Sequence, residues 1–560
     1  MPLTAGTAAT QFVDVAGRRV LVRYAGSGPA LLLLHQSPQT SRTMLPWIER
    51  LADRYAVFAP DTPSFGFSDP LPLAQPTIPD YAAALNDLLG ALNVERCLVY
   101  GVHTGAVTAL RLALDHPERI AGLVCDGYAR FNSDERQQLL NGYLPPFEPE
   151  WNGGHLLWLW SRFREQLLYF PWNTPTAGAR INYAAPTTEK LHTDSQDLLD
   201  AGDAYRVGYR APFLYDDPTA ASRLTVDGKI FYRAEDVLVA HLPRLKHLPA
   251  SITASRIEGG PTELARQSDA FFLRRATAAS VVDSADAVSR TVSTSRRVIV
   301  TTYGSLSVLL AKNGGEFSSG TVELHLHDIG QAATIPVDIA HGIAVVVPEL
   351  PLHGASRDWP SGAVAPTEIA GAIVEALAQL GVTQLRIRAV GGSGALAAAT
   401  ADICRDQGRI RCVQIRLINP LPLSDLERAQ FLSLLPDATP QSSGGHLVAA
   451  WNWARMKYLF WPWLPQTGAA VRAVAAPAPT RLHAETREII RVGTQFTPMW
   501  RAALEVDLAA ALSNFDGSVV VEHDDEPERH RMLEPFAHAL SLTLVSDDQI
   551  FIPGVRIWQT

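Results

Sequence analysis

At 560 residues the chain exceeds one ordinary domain, and about two to four domains are expected. A composition of 47% hydrophobic and 19% charged residues fits a globular protein with large cores. The 48 Lys and Arg against 57 Asp and Glu leave a formal net charge of −9, which speaks against nucleic acid or an anionic membrane surface as partner. The four cysteines, Cys97, Cys125, Cys404 and Cys412, form no C-x-x-C pair, so neither a zinc site nor a disulfide framework is expected. Residues 1–11 lack the basic and apolar blocks of a signal peptide, and no apolar run approaches the roughly 20 residues needed to span a bilayer. The expected location is cytoplasmic.

Residues 12–23 read as a hairpin turning at Ala16-Gly17. Residues 30–34 are a continuous apolar run, as in a strand buried on both faces of a parallel sheet, and they end at His35-Gln36. A helix is predicted over 47–54 and a strand over 55–59, which ends at Pro60-Asp61 and runs on through Gly66 and Ser68. A helix follows over 81–92. The strand at 97–100 then breaks at Gly101-Val102-His103-Thr104-Gly105 and leads into a helical stretch at 107–114. Another strand is predicted at 120–125. Strands alternating with helices imply a mostly parallel sheet covered on both faces.

Three motifs in this order resemble the core of the α/β-hydrolase superfamily. His35-Gln36 stands where that family has His-Gly. Pro60-Asp61 through Ser68 resembles its Asp-x-x-Gly-x-Gly-x-Ser turn, and Gly101 to Gly105 resembles the Gly-x-Ser-x-Gly nucleophile elbow. His103 stands where the family has its nucleophile. The resemblance implies that backbone N–H groups of Gln36 and Thr104 hold an oxyanion, and that residues 131–225 form a helical lid. Aromatic residues of that lid, Trp158 and Trp160 among them, could line an apolar pocket together with His35 and His155, or fill the lid's own core. The stretch Gly228 to Asp236 resembles the strand whose end carries the family's acid, and Asp236 fits that position. Asp126 lies near an alternative acid position, and Asp61 is expected to tie down its turn. The strand at 252–257 leads to Glu258-Gly259-Gly260, so the triad histidine is absent from its usual place.

The chain repeats itself. Gly153-Gly154-His155, Trp160, Trp172 and His192 recur as Gly444-Gly445-His446, Trp451, Trp463 and His483, without a gap from 153 to 192. Pro60, Asp61, Gly66 and Ser68 recur as Pro348, Glu349, Gly354 and Ser356. The expected fold class is therefore α/β: a tandem duplication of the α/β-hydrolase fold, each unit a mostly parallel sheet flanked by helices with a helical lid. The first unit is placed at 1–285, a linker at 286–296, and a second, degenerate unit at 297–560 with its lid at 422–512. At the second elbow, one alignment puts Ser393 in the nucleophile position and another puts Gly391 there; Ser393 is preferred, with Asp525 as the matching acid and both read as relics.

His103 and Asp236 are the expected catalytic pair, a His–Asp dyad that activates water or takes a substrate proton. A helix N-terminus beside His103 is expected to lower its pKa below the free value of about 6.5. Three readings stay open. The leading one is hydrolysis of an ester-like or other activated carbonyl bond in a small, largely apolar substrate. The others are non-hydrolytic proton transfer on the same site (a lyase, an isomerase or C–C cleavage) and a catalytically inactive pseudo-hydrolase that binds a ligand or acts as a scaffold. No cofactor or metal is expected. The partners expected are a small-molecule substrate and the two units packing on each other.

Overall fold

The computed structural model describes residues 8–559 apart from 313, 314, 319, 339–341, 361, 363, 462, 464–466, 525, 526 and 546–554. The chain forms two compact units. The N-terminal unit comprises Pro2–Glu148 and Trp158–Ser293; Pro149–Leu157 groups with Thr294–Thr560 in the C-terminal unit.

The N-terminal unit is built on a nine-stranded sheet. Its strands are β1 (Ala9–Val15), β2 (Arg18–Ala25), β3 (Ser27–Leu34), β4 (Ala56–Pro60), β5 (Cys97–Val102), β6 (Ile120–Asp126), β7 (Gly228–Arg233), β8 (Ile252–Ile257) and β9 (Val281–Asp283). Their order is β1-β2-β4-β3-β5-β6-β7-β8, with β9 antiparallel on the start of β3. The stretch from β4 to β8 is parallel, while β1 and β2 form an antiparallel edge. The apolar run of β3 shows why helices cover both faces. Leu32 and Leu34 point into one core beside Val99 and Leu110, whereas Leu31 and Leu33 point into the other beside Leu98 and Phe272. Helices α1 (Leu45–Leu51), α2 (Ile78–Ala91) and α3 (Thr104–Asp115) connect the early strands. The connection from β6 to β7 contains α4 (Ser133–Leu140), α5 (Gly154–Gln166), α6 (Thr188–Ala201) and α7 (Tyr205–Leu214), and α8 (Gly260–Arg275) follows β8.

Only the ends of residues 286–296, expected as a linker, lie in secondary structure: a helix up to Ser289 and a strand from Arg296. Helix α9 covers Ser284–Ser289. The Thr291 carbonyl then accepts from Asp14 N–H at 2.9 Å, and Ser293 N–H donates to the Phe12 carbonyl at 2.8 Å. The open edge of β1 satisfies this stretch, because unpaired strand groups seek partners.

The C-terminal unit carries a second nine-stranded sheet, from β10 (Arg296–Val300), β11 (Ser305–Ala311), β12 (Thr321–Leu326), β13 (Ala344–Pro348), β14 (Gln384–Val390), β15 (Arg411–Ile418), β16 (Ser518–Asp524), β17 (Thr543–Leu544) and β18 (Val555–Gln559). The order is β10-β11-β13-β12-β14-β15-β16-β18-β17. Through its first seven positions this is the order of the N-terminal sheet. The eighth differs: β8 runs parallel to β7, whereas β18 runs antiparallel to β16. The chain is thus a two-unit α/β architecture. Among the described residues no helix is long and apolar enough to cross a membrane.

The turn from β5 into α3 is the tightest point of the N-terminal sheet. A Cβ on Gly101 would lie 2.3 Å from the Gly105 carbonyl oxygen, and one on Gly105 would lie 2.4 Å from the Leu34 oxygen and 2.7 Å from that of His35. Helix α3 therefore rests on the ends of β3 and β5 with no room for a methyl group. Gly105→Ala is expected to cost about 1–3 kcal/mol of unfolding free energy through overpacking, read as a lower urea midpoint at unchanged slope.

Candidate active site

His103 occupies the one-residue turn between β5 and α3 with φ +48° and ψ −108°, a conformation that non-glycine residues adopt rarely. Its backbone N–H donates to the Asp126 carbonyl at 2.8 Å, which pins the turn to β6. The imidazole lies against Gly127, where a Cβ would come within 2.6 Å of the ring. Gly127 (φ +65°) thus makes room for the ring as well as for the backbone bend.

The imidazole Nε2–H donates to Asp236 Oδ2 at 2.6 Å. Asp236 caps the turn after β7, its Oδ1 accepting from Leu238 N–H at 2.8 Å. Arg233, at the end of β7, donates from Nη2 to the same Oδ2 at 3.1 Å and places its Nε 3.4 Å from Asp126 Oδ1. The Tyr100 hydroxyl donates to Asp126 Oδ2 at 3.0 Å. The result is one buried network, Tyr100–Asp126–Arg233–Asp236–His103. Asp126 meets Arg233 and Tyr100 rather than the imidazole.

The electrostatics of the ring differ from the sequence expectation. Burial pulls the His103 pKa down, but the charge of Asp236 and its hydrogen bond outweigh burial, so the pKa is raised above the ordinary 6.5. The expected lowering by the helix end is not what prevails, because a carboxylate in contact outweighs the partial charge of a helix terminus. Burial by itself would push the Asp236 carboxyl up; the His103 charge and hydrogen bond, Arg233 and the Leu238 N–H together hold it well below the usual range. Asp126 goes the other way, raised chiefly by burial.

His103 opens onto a cavity of about 470 Å³, within the range of small-molecule sites. Thr104 and Gln36 line it next to His103, and Thr104 N–H belongs to the first turn of α3, whose N–H groups have no partner inside the helix. The rest of the wall includes Phe131, Tyr143, Phe170, Tyr183 and Phe213 from the β6–β7 connection.

Four residues expected at the pocket lie elsewhere. His35 is buried under the turn: its Nδ1–H donates to the Gln36 carbonyl at 3.0 Å and its Nε2 accepts from Thr62 N–H at 3.0 Å. Trp158 packs against Phe147, and Trp160 is 2% exposed. His155 belongs to the segment grouped with the C-terminal unit, where its Nε2 lies 3.3 Å from His483 Nδ1. Large apolar side chains in this insertion fill its own core, and other aromatics face the cavity. Asp61 ties down its turn, accepting from Ser41 N–H at 2.9 Å and Ser41 Oγ at 2.6 Å. Arg233 was not singled out from the sequence. The signal for it was its place at the carboxyl end of a parallel strand, where ligands of open α/β sheets bind.

In the C-terminal unit Gly391 (φ +57°) directly follows β14, as His103 follows β5. Ser393 does not stand at the elbow. It is buried in the following helical turn, and its Oγ–H donates to the His327 carbonyl at 2.5 Å. The local reason is the Gly391-Gly392 pair, which lets the strand turn two residues earlier. Asp525 lies outside the described residues. Among the described residues no group of three His, Cys, Asp or Glu side chains could hold a metal ion.

Residues 29–218 match the family described as the alpha/beta hydrolase fold. The N-terminal unit has the α/β-hydrolase fold. An uncharacterized protein of Mycobacterium tuberculosis is 38% identical over 114 residues, 20% of this chain and 33% of that protein. A fluoroacetate dehalogenase of a Burkholderia species is 34% identical over 118 residues (20% and 38%), and a 2-hydroxymuconate semialdehyde hydrolase of a Pseudomonas species 32% over 140 residues (24% and 50%). The chain thus spans between a third and a half of the length of these relatives. Among solved structures, a potato epoxide hydrolase aligns with 48% of this chain and 99% of its own at 18% identity and a TM-score of 0.40.

The geometry sets the titration of the ring. In the intact protein the His103 imidazole is expected to titrate above pH 6.5 by nuclear magnetic resonance. In Asp236→Asn burial and the Arg233 charge are opposed only by the charge of Asp126, and the ring pKa should fall.

Proposed function

We propose that the N-terminal unit hydrolyses an ester-like or other activated carbonyl bond in a small, largely apolar substrate, with His103 as general base and no covalent intermediate. The observation that carries this reading is the 2.6 Å contact of His103 Nε2 with Asp236 at the floor of an aromatic-walled cavity. With Asp236 ionised, Nε2 carries the ring proton and Nδ1 is the basic nitrogen. Nδ1 takes a proton from water, and the hydroxide oxygen forms a bond to the carbonyl carbon. The negative charge moves to the carbonyl oxygen, held by the N–H groups of Thr104 and Gln36. As the tetrahedral intermediate collapses, the bond to the leaving oxygen breaks and the imidazolium returns its proton there. Asp236 stabilises the imidazolium, and Arg233 keeps Asp236 ionised and in place. The relatives named as a hydrolase and a dehalogenase are in keeping with this class of chemistry.

The C-terminal unit is read as the degenerate product of a tandem duplication, with the β6–β7 insertion acting as a lid over the first unit's cavity. The sheet orders and the repeated lid sequence support that history.

Because the base must be neutral, activity falls as pH drops through the raised His103 pKa. The acid limb is therefore expected above about pH 6.5, at higher pH than for an unperturbed imidazole. His103→Ala should reduce hydrolysis of an activated aryl ester about 100- to 10,000-fold at unchanged thermal midpoint. Wild-type turnover in ¹⁸O-water should place the label in the acid product, and Ser393→Ala should leave the rate unchanged. A rate insensitive to His103→Ala, or a product without label, sinks the proposal.

A further inference from the structure

The elbow end of the C-terminal sheet carries a cavity of its own, about 250 Å³. Its floor is blocked for hydrolytic chemistry. Gly391 has no side chain, and the place its Cβ would take lies 2.5 Å from Asp328 Oδ2 and 2.6 Å from the carboxyl carbon. Asp328 follows His327 after β12 as Gln36 follows His35 after β3. Its Oδ1 accepts from Gly392 N–H and from Ile329 N–H, both at 2.9 Å. Gly392 is the residue after the elbow, the counterpart of Thr104. The N–H group that would serve an oxyanion is thus satisfied by the protein's own carboxylate.

The walls have a different character. Phe431 stands 4.9 Å from the ring centres of both Trp463 and Trp500 and 5.5 Å from that of Trp453, and all four rings line the space. The indole N–H groups of Trp463 and Trp500 have no acceptor among the described residues, a costly state for buried donors. The Lys457 ammonium also lines the cavity. It pairs with Glu485 Oε2 at 2.6 Å, which engages one of its three donors. Of the carboxylates on the wall, Asp328 accepts the two N–H groups on Oδ1, and Asp524 accepts from Arg472 at 2.9 Å and Arg529 at 2.6 Å. With Lys457, Arg472, Arg481 and Arg529 against Asp328 and Asp524, the cavity offers a ligand aromatic surface and an excess of positive charge.

We propose that this cavity binds, without turning it over, a small carboxylate whose apolar body is the size of a single ring. The carboxylate accepts from Lys457, and the ring lies among Phe431, Trp453, Trp463 and Trp500. The size agrees: an apolar cavity of about 150 Å³ takes benzene, and 250 Å³ accommodates a ring with a carboxylate attached. An ammonium in a poorly hydrated site favours an anion strongly over its neutral isostere. The inference does not rest on the reading of His103.

Isothermal titration of the full chain with benzoate, benzamide and acetate tests it. Benzoate is expected to bind at one site per chain with a Kd at or below about 1 mM, and benzamide and acetate at least about tenfold more weakly. Lys457→Met should weaken benzoate about tenfold or more, and Lys457→Arg should restore most of the affinity. Gln331→Trp adds bulk at the cavity wall without touching the Lys457–Glu485 pair, so it keeps the test open if Lys457→Met fails to fold. It should abolish binding, while His103→Ala should leave benzoate affinity as it is. No heat with benzoate up to about 10 mM, equal affinity for benzamide, or binding lost in His103→Ala and kept in Gln331→Trp would each overturn the proposal.

Discussion

The N-terminal unit depends on how closely α3 approaches the ends of β3 and β5. Gly101 and Gly105 allow backbone to pack on backbone there, and any Cβ would collide with a carbonyl oxygen. That contact forces the chain to reverse within one residue, at φ +48°, and the residue at the reversal has its side chain presented above the sheet. Everything in the candidate site is placed relative to it. Gly127 clears space for the ring, Asp236 meets it from the turn after β7, and Arg233 ties Asp236 to Asp126.

The two elbows place different residues at the same turn. In the N-terminal unit a histidine stands at the reversal, and it lines a cavity together with Gln36 and Thr104. In the C-terminal unit glycine stands there, and Asp328 fills both the vacant side-chain space and the hydrogen-bonding capacity of Gly392. A buried N–H group demands an acceptor, and at the C-terminal elbow the chain supplies one in Asp328. The strand order shared through the first seven positions thus carries a histidine elbow in one unit and a glycine elbow occupied by Asp328 in the other. The fold alone does not set the chemistry.

Histidine at the reversal also explains the electrostatic arrangement. A buried imidazole alone loses basicity, whereas one in contact with an ionised carboxylate gains it. Asp236 remains ionised in a buried place because Arg233 and the Leu238 N–H compensate the desolvation. Arg233 is shared with Asp126, so two buried carboxylates and one guanidinium leave a net negative surrounding for the ring. That balance, and not the helix end, decides on which side of its ordinary value His103 titrates.

The sequence by itself determined the strands, the first elbow and the two-unit α/β plan, because each is written in local patterns. Apolar runs such as 30–34 mark buried strands, Gly-x-His-x-Gly marks a backbone approach that only glycine permits, and repeated spacings mark a repeated unit. It also singled out His103 and Asp236, which lie 133 positions apart and in contact. Which aromatic residues of the insertion face a cavity and which fill a core was settled only in three dimensions. Trp160 and Phe170 look alike in sequence and differ only in what packs around them. The second elbow was ambiguous for a related reason: a glycine pair lets the turn slide by two residues, and packing selected Gly391 over Ser393. The roles of Arg233 and Asp328 depend on groups distant in the chain that meet in a desolvated place. The energy of such a meeting exists only once the tertiary structure has removed the water.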